Sequence, residues 1–181
     1  MKPIIQLHDK QFEIFIKQEI IEDKIRRMAQ EISKDYEGKC PIFLAILNGS
    51  FLFAAELMKS VSIDCEITFL RVSSYHSTTS TGKITEVLGL KEDITDRDVI
   101  ILEDIIDTGL TMDKIQEQLL GKNPKSLKVA SLFQKPEALK TPIDIAYLGF
   151  ELENRFVLGY GLDYDGLGRN LPDLYVLHET K

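Results

Sequence analysis

Three carboxylates stand within five positions in Glu103-Asp104-Ile105-Ile106-Asp107, and Thr108-Gly109-Leu110-Thr111 follows at once. The acids come after an apolar run, Val99-Ile100-Ile101-Leu102, that reads as a buried strand. An ionised carboxylate is costly to bury without a partner, so acids in this position belong at a strand's exposed end or on a site. The small residues after them can form a tight turn with inward-pointing amides. Gly109 lets the backbone turn and approach a ligand closely. If a helix starts there, its first amides lack intrahelical partners and its dipole favours an anion. Thr108 and Thr111 add hydroxyl donors. Glu103 and Asp104 suit the cis hydroxyls of a ribose or the shell of a Mg²⁺ ion. Together these features point to a phosphorylated sugar ligand.

The elements around this segment alternate between strand and helix. Ile42–Leu47, residues 67–72, 98–103 and 128–133 read as strands, and residues 51–58 and 111–120 as helices. The residues 143–150 and 155–160 read as two more short strands, before a tail from Gly161 that is rich in Gly, Asp and Leu. Apolar residues from Phe12 to Ile32 recur at three- to five-residue steps and predict one amphipathic helix over 10–35. Alternation of this kind predicts an α/β fold, a mainly parallel sheet flanked by helices. Ligands of open parallel sheets bind beyond the carboxyl ends of the strands. Asn48-Gly49, residues 103–111 and Lys135 all fall there.

The 181 residues fit one domain over 1–181. A net charge of −7 argues against nonspecific nucleic-acid binding, which needs clustered Lys and Arg. No apolar run reaches the roughly 18 residues that span a bilayer. The N-terminus shows no signal-peptide pattern, so a cytoplasmic protein without membrane partner is expected. The two cysteines, Cys40 and Cys65, lack metal-ligand spacing and are expected to be free, buried thiols. His8 and His178 carry no partner visible in the sequence, and His76 reads as a solvated loop histidine without a catalytic role.

The segment Val99 to Met112 resembles the 5-phosphoribosyl-1-pyrophosphate (PRPP) signature of the type I phosphoribosyltransferases, in particular their hypoxanthine-guanine branch. Further ordered pieces agree: Leu47-Asn48-Gly49-Ser50, Ser74-Tyr75, Val129-Ala130-Ser131-Leu132, Lys135, and Phe156 to Tyr164. The resemblance runs from that first turn to Arg169. It implies the type I phosphoribosyltransferase fold with a small C-terminal hood. It implies Mg²⁺-dependent transfer of a phosphoribosyl group from PRPP to N9 of hypoxanthine, and of guanine, in purine salvage. A PRPP-sensing regulator that binds nucleic acid, and enzymes for xanthine or uracil, are the competing readings.

By the same resemblance, Glu103 and Asp104 hold the ribose hydroxyls of PRPP directly or through Mg²⁺. Residues Asp107, Thr108, Gly109, Leu110 and Thr111 bind the 5′-phosphate, and Asp107 also accepts the proton of purine N7. Lys135 donates to the oxygen at C6, Phe156 stacks on the purine, and Val157 reads its edge through the backbone. Asp163 binds a second Mg²⁺ at the pyrophosphate, which Arg169 contacts. Asn48 and Gly49 bind pyrophosphate through backbone amides, with a non-proline cis peptide. Many members place a basic residue where Asn48 stands, so charge neutralisation shifts to Mg²⁺ and Arg169. The polar stretch 73–83, with Ser74 and Tyr75, corresponds to a mobile lid that keeps water from the reacting centre. A homodimer or homotetramer is implied.

Overall fold

The computed structural model describes residues 4–74, 84–88 and 90–178, with the backbone alone at 72–74 and 84–88. In chain order the strands are β1 (Ile4–Leu7), β2 (Lys10–Ile16), β3 (Ile42–Leu47), β4 (Glu66–Ser74), β5 (Ile84–Leu88), β6 (Asp98–Ile106), β7 (Ser126–Gln134), β8 (Tyr147–Glu151), β9 (Val157–Leu158) and β10 (Leu174–Leu177). The helices are α1 (Gln18–Asp35), α2 (Phe51–Ser60) and α3 (Leu110–Leu120), with one short 3-10 turn at Pro136–Ala138.

Six strands form the larger sheet in the order β5-β4-β3-β6-β7-β8. The pairs β4–β3, β3–β6, β6–β7 and β7–β8 are parallel, and β5 adds antiparallel to β4 at one edge. The continuous apolar run of β3 follows from burial on both faces. Phe43 and Ala45 join Ile100 and Leu102 in the core beneath α1 and α2. Ile42, Leu44 and Ile46 join Val99 and Ile101 in a second core with Met112, Ile115 and Leu119 of α3. The predicted α/β architecture is therefore present.

A second, antiparallel sheet has the order β1-β2-β10-β9. It corrects the sequence reading at the N-terminus, because residues 10–16 are strand β2 and the helix starts only at Gln18. The break is Lys17, whose φ of −74° and ψ of 149° are extended. Phe12 is fully buried against Leu158 and Tyr175, a long-range contact that overrides any helical spacing. In α1 the buried stripe is Ile21, Ile25, Met28, Ala29 and Ile32, while Ile20 is 54% exposed. The hood thus draws on both chain ends, not on the C-terminal region alone. Its Val157, Tyr160, Leu174 and Val176 share one core with α1 and α2.

Other boundaries also move. The strand expected over 143–150 is instead Tyr147–Glu151, and of the 155–160 segment only Val157–Leu158 pairs as strand. The second is cut short by three consecutive positive φ angles, 91° at Gly159, 46° at Tyr160 and 100° at Gly161. The tail contains β10, which the Gly- and Asp-rich composition conceals. Both cysteines are free, but neither is fully buried: Cys40 is exposed and Cys65 half-buried. Both precede the strands they flank, β3 and β4.

Candidate active site

Because β3, β6 and β7 are neighbours and parallel, the loops after them converge at one edge of the sheet. The first loop begins with a cis peptide between Leu47 and Asn48. Asn48 is exposed and Gly49 is buried. A Cβ on Gly49 would overlap the carboxylate of Asp104, so only glycine lets these two segments pack this closely. The first loop and the acids of β6 are thereby locked together.

Asp104 is buried, and its Oδ1 accepts the N–H of Ile105 at 2.9 Å. Glu103 beside it is half-buried by surface area, yet its carboxyl is held well above the usual range. Burial is the main cause, and the negative charge of Asp104 is the next. Two adjacent carboxyl groups in this setting are costly to ionise together unless a cation stands beside them. Hard oxygen donors of this kind fit a Mg²⁺ ion that takes one or two carboxylates and fills its shell with water and substrate oxygens. Among the described residues no group of three or more His, Cys, Asp or Glu could hold a metal alone.

Past β6, the chain makes the predicted turn into α3. Gly109 is the residue before the helix and has a φ of 79°, the left-handed region that glycine tolerates best. The first intrahelical bond runs from the N–H of Asp113 to the carbonyl of Gly109 at 2.9 Å. The amides of 110–112 therefore lack intrahelical acceptors, as an anion site requires. Glu103, Asp107, Thr108, Gly109 and Thr111 line a cavity of about 180 Å³ here. The loop is braced from behind. The carbonyl of Thr108 accepts the N–H groups of Lys140 at 2.9 Å and Thr141 at 3.2 Å. The carbonyl of Thr141 also occupies the space a Cβ on Gly109 would need. This bracing comes from the connection between β7 and β8, just ahead of the residues read as strand.

Lys135 follows β7, and its N–H donates to the carbonyl of Ile106 at 3.0 Å. Lys135 as a whole is 7% exposed, and its ammonium meets Asp107 Oδ2 at 3.1 Å. The exposed Asp107 and the buried Lys135 thus form a paired acceptor and donor at the mouth of the cavity.

The hood supplies the remaining candidates. Phe156 is 40% exposed and Val157 is buried in β9, paired with Val176. Asp163 forms an ion pair with Arg169 at 2.6 Å and accepts the N–H of Gly166 at 2.8 Å. Arg169 Nη1 donates to the carbonyl of Gly161 at 2.8 Å. Gly161 in turn packs on the carbonyl of Gly49, leaving no room for a Cβ. The structure therefore joins Asn48-Gly49 to Asp104 on one side and to the Arg169–Asp163 pair on the other. It does not gather Asp163 into one cluster with Glu103 and Asp104. Leu110 and Thr111 are exposed in the first turn of α3. Ser74 ends β4, whereas Tyr75 and residues 76–83 of the expected lid lie outside the described residues. Sequence reasoning missed Gly161 and the bracing Thr141, whose contacts are made through backbone atoms that leave no local signature.

The fold and site have known counterparts. The family model for the phosphoribosyl transferase domain matches residues 13–165. The chain therefore belongs to the phosphoribosyltransferase family and is a transferase of phosphoribosyl groups. A hypoxanthine-guanine phosphoribosyltransferase from Streptococcus mutans is 41% identical, with 92% of each chain covered. The crystal structure of a hypoxanthine-guanine phosphoribosyltransferase from Bacillus anthracis has 36% identity and a TM-score of 0.86, over 91% of this chain and 97% of that one. A hypoxanthine phosphoribosyltransferase structure from Staphylococcus aureus has 38% identity and a TM-score of 0.87, over 92% and 91%. Within the family, the chain falls in the hypoxanthine-guanine branch.

Proposed function

We propose that the enzyme transfers the 5-phosphoribosyl group of PRPP to N9 of hypoxanthine, and of guanine, in purine salvage. The observation that carries the acceptor is the Lys135–Asp107 pair at 3.1 Å. An oxopurine presents an acceptor oxygen at C6 beside an N7–H donor, and this edge complements an ammonium beside a carboxylate. Adenine presents an amino donor at C6 and would leave the buried ammonium facing another donor.

In this reading the amides of 108–111 hold the 5′-phosphate at the start of α3. Glu103 and Asp104 accept from the ribose hydroxyls, and the amides around Gly49, together with Arg169, receive the pyrophosphate. Phe156 stacks on the base and the backbone of Val157 meets its edge. Glu103–Asp104 and, separately, Asp163 would hold Mg²⁺, which when bound neutralises pyrophosphate charge. As N9 bonds to C1′, the bond from C1′ to the pyrophosphate oxygen breaks, and the N7 proton passes to Asp107. Asn48 offers no charge, so Arg169 is the side-chain cation left for the leaving group. The 73–83 stretch acts as the lid.

The shared core of the two sheets supports one domain over 1–181. No helix among the described residues is long and apolar enough to cross a membrane. Phe53 belongs to the core, but Phe51 is exposed at the start of α2 and is available to a homodimer or homotetramer contact. The test is a panel of bases with PRPP and Mg²⁺, following nucleotide formation by ultraviolet absorbance. Hypoxanthine and guanine should react. Absence of product with every oxopurine would remove the proposal.

A further inference from the structure

The hairpin joining β1 to β2 reaches across the hood to Phe156. Its two-residue turn is His8-Asp9, between the paired Leu7 and Lys10. Asp9 Oδ1 accepts a hydrogen bond from the hydroxyl of Tyr164 at 2.6 Å, and the His8 ring meets Tyr164 edge-on at 5.4 Å. That bond is the main reason the Asp9 carboxyl lies below its usual range and the Tyr164 phenol above it. Lys10 places its ammonium 4.6 Å from the centre of the Tyr164 ring and 5.5 Å from that of Phe156. Phe156 is further bounded by Phe12 at 6.1 Å and by the edge of Tyr164 at 5.5 Å.

We propose that this hairpin is a positioning element of the acceptor site, in which Lys10 and the Asp9–Tyr164 hydrogen bond fix the Phe156 ring for stacking on the base. The proposal rests on the reading of Phe156 as the stacking residue. A half-exposed phenylalanine has freedom at its side-chain torsions that a stacked complex must remove. Here that freedom is already restricted by three neighbours. Lys10 is attracted to the two rings through their quadrupoles and so holds them in one arrangement. The Asp9–Tyr164 bond ties the same arrangement to a backbone turn, so the Tyr164 ring is held by the hairpin as well as by its own loop. Neither residue is adjacent to Phe156 in sequence, so the device exists only in the folded chain. It acts on the base and leaves the PRPP loops untouched.

The test compares Lys10→Met, Lys10→Arg, Tyr164→Phe and Phe156→Ala in steady state, varying hypoxanthine and PRPP separately. Removing the cation in Lys10→Met should raise KM for hypoxanthine about two- to fivefold, with KM for PRPP and kcat unchanged. Tyr164→Phe should move the same constant in the same direction, and Lys10→Arg should restore most of the affinity. If Phe156→Ala raises KM for the base while Lys10→Met and Tyr164→Phe do not, the positioning role is wrong and stacking stands. If Phe156→Ala leaves KM for the base unchanged, stacking itself is wrong and the proposal falls with it. Equal losses in both KM values and kcat, with a lowered Tm, would mark the hairpin as merely structural and overturn the proposal.

Discussion

The ammonium of Lys135 lies 3.1 Å from a carboxylate oxygen of Asp107, although the two residues belong to loops after different strands. β6 and β7 are paired in parallel register, Ile106 opposite Gln134, so the residues that follow them emerge side by side. A buried cation beside an exposed carboxylate offers one donor and one acceptor to a single incoming ring.

Asp107→Asn keeps the size of the side chain but removes its ability to take a proton as an anion. The turnover number should fall by about 10²-fold or more, the usual contribution of a positioned base. PRPP affinity should change little, because the loop binds phosphate through amides. Single-turnover kinetics with PRPP titrated separately checks both; unchanged turnover would remove the base from the mechanism.

Lys135→Met replaces a buried ammonium with an apolar chain of similar length. Loss of a charge-assisted hydrogen bond to the C6 oxygen should lower kcat/KM for hypoxanthine about 10- to 100-fold. The variant should also discriminate less between hypoxanthine and adenine. A preserved preference would place base selection elsewhere.

Gly49→Ala introduces a methyl group where Asp104 has its carboxylate. Overpacking of this kind costs about 1–3 kcal/mol, and here the displaced group is a proposed ribose ligand. PRPP affinity should fall about tenfold or more, as measured by calorimetry. Wild-type affinity would show that the loop and Asp104 do not need this contact.

These interactions divide by how far the sequence reveals them. The Glu103–Thr111 segment was legible because strand, acids, turn and helix start are contiguous, and the local chemistry announces itself. The continuous runs of β3 and β6 likewise disclosed a sheet covered on both faces. Residues 10–16 were not legible: Phe12, Ile14 and Ile16 alternate as a strand does, but their apolar neighbours also satisfy a helical period. The decision rests with Leu158 and Tyr175, far along the chain. The Gly161–Gly49 contact and the Asp9–Tyr164 bond were hidden for the same reason, since each joins segments more than a hundred residues apart in the chain.

The folded chain should lose stability in alkali. The phenols of Tyr36, Tyr147, Tyr160 and Tyr175 are all raised above the usual value, with burial as the main cause; for Tyr147 the hydrogen bond to Asp35 at 2.8 Å is the next. Just above the ordinary phenol range near pH 10, the unfolded chain sheds protons that the folded chain retains. Their contribution is complete below that range and declines as pH rises through the folded values. Urea midpoints between pH 8 and 11 should fall, and Tyr147→Phe should reduce the slope. A flat profile would contradict the buried, protonated phenols.

The central claim is that one edge of an oxopurine is read by Lys135 and Asp107 while PRPP is held by the β6–α3 loop. Its most direct test is the ratio of kcat/KM for hypoxanthine and adenine, with PRPP and Mg²⁺ saturating. The account predicts nucleotide and pyrophosphate from hypoxanthine, and a value for adenine about 10²-fold lower or less. Equal use of the two bases, or no nucleotide from hypoxanthine, would contradict it.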